Sequence, residues 1–364
     1  MKKVVISGGG TGGHIFPAIA IANEIKASYP EVEILFVGAE GKMEMEKVPQ
    51  AGYNIVGLPI VGLQRKLSLQ NLLLPFKLMN SMWKARTTIK KFNPDVVVGV
   101  GGYASGPTLQ MASWMKIPTI LQEQNSFAGK TNMILGKKAK AICTAYPKME
   151  RFFPKEVIVE TGNPVRSEVT KIEGKREAAQ QFFGLDANRK TVLVIGGSLG
   201  ARTLNEAILG EIKEIESSNV QVVWQCGKTH YASCKSELEA KESAHVHLHE
   251  FIREMDMAYA AADVIVSRAG AIAVSELTLI GKPIILVPSP NVAEDHQTHN
   301  AMALVDKEAA ILVKDRDAKE HLFSHVFELV GSEQKQNELA QNIKSFAKPN
   351  ATKDIVAQIV KHSK

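Results

Sequence analysis

The chain has little cysteine: Cys143, Cys226 and Cys234 are the three in 364 residues. They give neither an even disulfide framework nor a CxxC motif, and read as buried thiols in a reducing compartment. Long hydrophobic runs are missing too. No window approaches the ~18 uninterrupted apolar residues of a membrane span. The opening Met1-Lys2-Lys3-Val4-Val5-Ile6-Ser7 has too short an apolar run for the h-region of a signal peptide. The expectation is a cytoplasmic protein whose membrane contact is peripheral. A third absence is local. No acidic residue stands between Lys47 and Pro94, a segment with eight basic ones. Those cations are interleaved with aliphatics rather than with stacking aromatics, which argues against a nucleic-acid platform. The net charge of +6 points to some anionic partner, a phosphorylated substrate or an anionic lipid surface among the choices.

What is present is a pattern that occurs twice. Val4-Val5-Ile6 runs into Gly8-Gly9-Gly10-Thr11-Gly12-Gly13. Apolar residues at Ile15, Ala18, Ile19, Ala22 and Ile25 then follow at helical spacing, with Pro17 expected in the first turn. Short unalternating strands at Ile34–Val37, Val96–Val98, Thr119–Leu121 and Ala141–Cys143 fit a parallel sheet covered on both faces. The pattern restarts at Thr191–Ile195 with Gly196-Gly197-Ser198-Leu199-Gly200 and a helix bearing Leu204, Ile208, Ile212 and Ile215. It continues through strands at Val222–Trp224, Val246–Leu248, Val264–Val266 and Ile284–Val287. A length of 364 residues suits two domains. The fold class is α/β, with two Rossmann-like domains facing across a cleft and joined near Gly162-Asn163-Pro164. The stretch from about Gln334 to Lys364 is expected to return to the first domain.

Glycines at a strand-to-helix turn let backbone approach a phosphate, and the helix start adds N–H donors and partial positive charge. One Gly8-x-Gly10-x-x-Gly13 fingerprint is a weak signal. Two further clusters, Gly99 to Pro107 and Gly196 to Gly200, imply more than one phosphate-bearing ligand. A fourth element, Ser267 to Glu276, follows a strand and opens a helix that Gly281-Lys282-Pro283 closes. Its small residues admit a diphosphate, and Glu276 can accept from two ribose hydroxyls. Gln297 and Asn300 share a helix face and can read sugar hydroxyls. His14, at a helix start beside the ligand, suits proton transfer near neutral pH. His245, His247 and His249 read as the wet face of an edge strand rather than a metal site. Asp315-Arg316-Asp317 reads as a helix cap rather than a metal-binding DxD motif.

The basic segment contains two apolar stripes. Leu72, Phe76, Met79 and Trp83 form one, and Leu74, Leu78 and Met82 the other. One stripe suffices for a core. The other, with Trp83 and the cations Arg65, Lys66, Lys77, Lys84 and Arg86, fits an interfacial patch on an anionic membrane. Leu74, Leu78, Met82, Lys77 and Lys84 are the residues assigned to it.

Taken in order, these motifs resemble the MurG family of peptidoglycan N-acetylglucosaminyltransferases, glycosyltransferase family 28 with the GT-B fold. The carriers are Gly9–His14, Gly101–Pro107, Gln122-Glu123-Gln124-Asn125, Gly162–Arg166, Gly196–Ser198, Phe251-Ile252-x-x-Met255, Ser267–Glu276 and Asp295-x-Gln297-x-x-Asn300-Ala301. The chain departs from the family at Leu199, where Gln is usual, and at Gln122, where His is frequent. The resemblance implies inverting transfer of N-acetylglucosamine from UDP-N-acetylglucosamine to the 4-hydroxyl of the muramoyl sugar of undecaprenyl-linked lipid I, giving lipid II for cell-wall biogenesis. It places Thr11, Gly12, Gly13 and Asn125 near the donor sugar, with Arg166 and Ser198 on the diphosphate. Ile252 would offer backbone to uracil. Ala271, Ile272, Ala273, Val274, Ser275 and Glu276 would take diphosphate and ribose, and Gln297 the sugar. Gly102, Tyr103 and Ser105 would face the acceptor. The implied domains are 1–163 for acceptor and membrane, 164–340 for the UDP-sugar, and 341–364 crossing back. The implied location is the cytoplasmic face of the plasma membrane. The scheme calls for no cofactor and no protein-bound metal. His14 is the expected base or its orienter, and Glu123 the competing candidate. A UDP-N-acetylglucosamine 2-epimerase-like enzyme and a non-catalytic sugar-nucleotide sensor are the alternatives.

Overall fold

The computed structural model describes residues 1–60, 74–165, 167–197 and 199–364. The chain forms two compact units, residues 1–165 with 348–364 and residues 166–347.

In the first unit β1 (Lys3–Ser7), α1 (Gly12–Ser28), β2 (Glu33–Ala39), α2 (Glu44–Gln50), β3 (Asn54–Leu58), α3 (Leu74–Phe92), β4 (Val96–Gly99), α4 (Ser105–Trp114), β5 (Thr119–Glu123), α5 (Lys130–Gly136), β6 (Ala141–Thr144) and β7 (Ile158–Glu160) follow one another. The strands make a parallel sheet in the order β3-β2-β1-β4-β5-β6-β7. Side chains on a strand alternate between faces, and the core divides accordingly. Val5, Val37, Val97 and Leu121 pack with Ala85 and Ile89 of α3 and Leu109 of α4. Val4, Ile6, Phe36 and Val96 pack on the other face with Ile21 and Ile25 of α1. Both faces are apolar because both are covered, which is why these strands do not alternate in sequence.

The second unit repeats the plan with α6 (Arg176–Phe183), β8 (Lys190–Ile195), α7 (Arg202–Gly210), α8 (Ile212–Ser217), β9 (Val220–Gln225), α9 (Tyr231–Ala240), β10 (Val246–His249), α10 (Met255–Ala261), β11 (Val264–Ser267), α11 (Ala271–Ile280), β12 (Ile284–Leu286), α12 (His296–Val305), β13 (Ile311–Leu312), α13 (Asp315–Val330) and α14 (Glu333–Lys344). Its sheet is parallel in the order β10-β9-β8-β11-β12-β13. The last helix, α15 (Ala351–His362), belongs to the first unit, where Ile355, Val356 and Ile359 join the α1 face of the core.

Several expectations shift. Pro17 is the sixth residue of α1, not a first-turn residue, so no N–H from position 17 reaches the Gly13 carbonyl. The helix expected through Ile215 divides after Gly210, yet Leu204, Ile208, Ile212 and Ile215 all stay buried. The two stripes of α3 also sort differently. Met82 packs against the core beside Ala85 and Ile89, because those three residues follow at 3–4 spacing on the covered side. The exposed row is Phe76, Met79 and Trp83, at 70%, 68% and 65% exposure. Leu78 is exposed at its flank, and Lys84 is ion-paired to Glu40 at 2.7 Å. The Leu74 side chain and residues Arg65, Lys66 and Leu72 lie outside the described residues.

Candidate functional site

Each sheet reverses its strand order once, between β1 and β4 and between β8 and β11. A doubly wound sheet opens a crevice at the carboxyl ends of its strands at such a point. The four glycine-rich elements are the loops that follow these four strands.

In the first unit, the loop after β1 and the loop after β4 touch through backbone. A Cβ at Gly102 would lie 2.1 Å from the Gly9 carbonyl oxygen, and Gly102 has φ +86°. Only glycine fits there. Thr11 is the N-cap of α1, and Gly12 and Gly13 supply its first amides. The His14 ring lies against Gly101, 2.8 Å from Nε2 to the place a Cβ would take. Its Nδ1 sits 3.1 Å from the Gly9 carbonyl and 3.3 Å from the Thr11 hydroxyl. A carbonyl only accepts, so Nδ1 carries the proton and Nε2 is the basic nitrogen. Tyr103 is half exposed beside this ring-and-loop cluster. Ser105 is not available to an acceptor. It is fully buried, with its hydroxyl on the Ser7 and Gly101 carbonyls at 2.7 and 2.9 Å, and it pins the loop after β4 to β1.

Glu123, the rival base, is 2% exposed. It accepts from the Asn125 and Gly129 amides, both at 3.1 Å, and from Asn132 Nδ2 at 2.8 Å. Burial raises its pKa, while the hydrogen bonds from Asn132, Asn125 and Gly129 oppose the shift. A carboxyl so enclosed organises the loop that carries Asn125 rather than taking a proton from a ligand. Gln122 donates to Asn163 Oδ1 at 2.8 Å, and Asn163 Nδ2 donates to the Gln124 carbonyl at 3.0 Å. The Gly162-Asn163-Pro164 turn is therefore tied to the end of β5.

In the second unit the loops after β8 and β11 border a pocket of about 420 Å³, lined among others by Gly196, Gly197, Arg268, Gly270, Ala273 and Gln297. The start of α11, capped by Gly270, sets its first-turn amides at this pocket. Arg268, which the sequence reading passed over within its motif, holds the Val287 carbonyl and Asp315 Oδ1 through Nη1, at 3.0 and 2.5 Å. Asp315 also accepts from the Thr203 hydroxyl at 3.1 Å. The acidic pair read as a cap stands in the first turn of α13, and its first member fixes an arginine at the pocket. Gln297 accepts from the Ser289 amide at 2.8 Å, which turns its NH₂ group outward from that bond.

Other assignments change. The Ile252 N–H is already donated to Gln225 Oε1 at 2.9 Å, and Gln225 Nε2 holds the Gly197 carbonyl at 3.1 Å. That bond takes the Ile252 N–H and leaves the Ile252 carbonyl as the backbone group to offer uracil, and Gln225, buried and unnoticed in sequence, joins two loops. Val274 is core, and its N–H binds the Gly270 carbonyl at 2.9 Å. Ser275 donates to the Ala271 carbonyl at 3.0 Å. Asn300 is fully buried and donates to the Ala269 carbonyl at 3.3 Å; it supports the Arg268 loop instead of reading a sugar. Glu276 receives the Tyr259 hydroxyl at 3.2 Å, one turn beyond Ala273, while Ile272 stays in the first turn. Arg166 and Ser198 lie outside the described residues. His247 and His249 are half-buried on edge strand β10, and burial lowers the pKa of both. Among the described residues no group of His, Cys, Asp or Glu side chains is arranged to hold a metal ion. The three cysteines are buried and unbridged.

Models of the glycosyltransferase family 28 N-terminal and C-terminal domains match residues 4–144 and 191–358. A protein of Flavobacterium psychrophilum bearing the name UDP-N-acetylglucosamine–N-acetylmuramyl-(pentapeptide) pyrophosphoryl-undecaprenol N-acetylglucosamine transferase is 55% identical, over 99% of this chain and 97% of its own. A protein of the same name from Parabacteroides distasonis is 52% identical over 99% and 98%. The crystal structure of Acinetobacter baumannii MurG aligns with a TM-score of 0.80 at 30% identity, over 99% of this chain and 100% of that one. A UDP-N-acetylglucosamine 2-epimerase aligns with a TM-score of 0.68 at 14% identity, over 100% and 96%, a likeness of fold alone.

Proposed function

We infer the activity from a premise these matches establish: the chain belongs to glycosyltransferase family 28, with both of its domains and the GT-B fold. It is an N-acetylglucosaminyltransferase of peptidoglycan synthesis. Its donor is UDP-N-acetylglucosamine and its acceptor the pyrophosphoryl-undecaprenol-linked N-acetylmuramyl-pentapeptide, lipid I; the product is lipid II. The observation that carries this reading is identity above 50%, at nearly full length, to transferases so named.

Within that reaction we assign the residue roles from the family resemblance, together with the chemistry of the step. The acceptor 4-hydroxyl attacks the anomeric carbon as the bond to UDP breaks, a single displacement that inverts the centre to β-1,4. The hydroxyl proton goes to His14 Nε2. The diphosphate leaves with growing negative charge, which the α11 start, Arg268, Ser198 and Arg166 stabilise. Glu276 takes the ribose and Gln297 the sugar. Thr11, Gly12, Gly13 and Asn125 serve the donor sugar, and Gly102 and Tyr103 the acceptor. No described helix is long and apolar enough to cross a membrane. Phe76, Met79 and Trp83, with Lys77 beside them, give the protein a peripheral seat on the cytoplasmic face of an anionic membrane.

The test is UDP release from UDP-N-acetylglucosamine with and without a short-chain lipid I analogue. Release that depends on the analogue, with a disaccharide product, is expected. Conversion of the donor to its 2-epimer, or donor binding with no release under any acceptor, would sink the reading.

A further inference from the structure

The residue that holds the first glycine loop lies outside every motif. Glu44 opens α2, yet its side chain is 1% exposed. One carboxylate oxygen accepts from the Gly10 amide at 2.9 Å, the other from the Ala39 amide at the end of β2, also at 2.9 Å. The space is made by two glycines. A Cβ at Gly9 would fall 2.1 Å from Glu44 Oε1, and one at Gly38 2.5 Å from its Cγ.

The Gly10 N–H and the Gly9 carbonyl belong to one peptide group. No peptide bond in the described chain is cis, and in a trans peptide N–H and C=O point in opposite directions. Glu44 thus grips one side of this plane, and the Gly9 oxygen on the other side faces His14 Nδ1 at 3.1 Å. Hydrogen bonds in a chain polarise one another, so an acceptor on the N–H makes the carbonyl a better acceptor. A base needs a third group to fix its tautomer and aim its lone pair.

We propose that Glu44 is the positioning residue of the catalytic histidine, acting through the Gly9–Gly10 peptide to hold His14 as the Nδ1–H tautomer with Nε2 basic. The arrangement is carboxylate, peptide, imidazole, with a main-chain plane between acid and ring. This rests on the role given to His14 above.

The test uses the full-length protein labelled with ¹⁵N-histidine, with His14→Ala to assign the His14 signals. Wild type is expected to show His14 as Nδ1–H; an Nε2–H ring there overturns the proposal without any variant. Glu44→Gln keeps the shape but sets an NH₂ group against one of the two amides. It is expected to mix the His14 tautomers and to lower kcat on the order of 10²-fold, with the donor KM changed by less than about threefold. A Glu44→Gln protein that keeps its tautomer overturns the proposal, whatever its stability or turnover. Wild-type turnover in His14→Ala would instead remove the base assignment and leave the tautomer result to judge Glu44 on its own.

Discussion

A buried carboxylate at a candidate site has two possible roles, and its neighbours decide between them. Glu123 faces donors already committed to it: two backbone amides and the Asn132 side chain. Gln at this position has one acceptor oxygen where the carboxylate has two. Glu123→Gln therefore strands at least one buried donor, at about 1–3 kcal/mol, and the urea midpoint should fall at pH 7. The pH dependence has a definite sign. Burial holds the folded pKa above the ordinary 4.5. Between the two values the folded state binds more protons than the unfolded one, so this group's contribution to stability grows as pH falls through the folded pKa toward 4.5. Wild type should gain on Glu123→Gln over that window, and a gap that widens in the other direction would contradict the assignment. In sequence, Glu123 and Glu44 could not be told from functional or surface acids. What separates them from such acids is the backbone amides they face: those of Gly10 and Ala39, 34 and five residues from Glu44, and those of Asn125 and Gly129, within six residues of Glu123. Gly102 was legible as part of a glycine-rich loop, but the contact that requires glycine there, with the Gly9 backbone of another loop, was not.

Elements were legible in proportion to their burial. Central strands such as β1 and β4, buried at nearly every position, announce themselves as apolar runs. The edge strands β3, β7 and β13, which the sequence reading missed, are half-covered and carry a weaker pattern. Helix α3 shows the limit of periodicity. Two stripes were visible, but which one faced the sheet depended on Ala85 and Ile89, a turn or two further along. The outward stripe makes a prediction of its own. Met79 and Trp83 stand exposed next to cations on a helix without acidic residues. Inserting such side chains into a bilayer interface is worth about 1–3 kcal/mol each. Met79→Ser with Trp83→Ser should weaken binding to anionic vesicles by roughly 10²-fold, while acceptor-free UDP binding stays unchanged. Equal vesicle binding by the double variant would show that another surface makes the contact.

At the scale of the whole chain, the repeated strand–glycine–helix plan was legible because each half carries its own switch-point loops. The route of the last helix was less so. The apolar spacing of Ile355, Val356 and Ile359 would serve equally well in either unit; only the packing with α1 assigns it to the first. That assignment has an energetic consequence. Each fully buried Val or Ile side chain contributes about 1.5–3 kcal/mol, so three of them approach the ~5–15 kcal/mol that a domain has in hand. A chain ending at Ala347 keeps all of the second unit and takes α15 from the first. Calorimetry with and without UDP should then show the two units behaving apart. With UDP bound by the second unit, as proposed, the transition that UDP raises should be that of residues 166–347 and should persist near its original temperature, since a ligand stabilises only the fold that binds it. The transition indifferent to UDP should fall steeply or vanish, and lipid I turnover should go with it. Loss of the UDP-responsive transition instead would mean that the second unit, not the first, depends on α15.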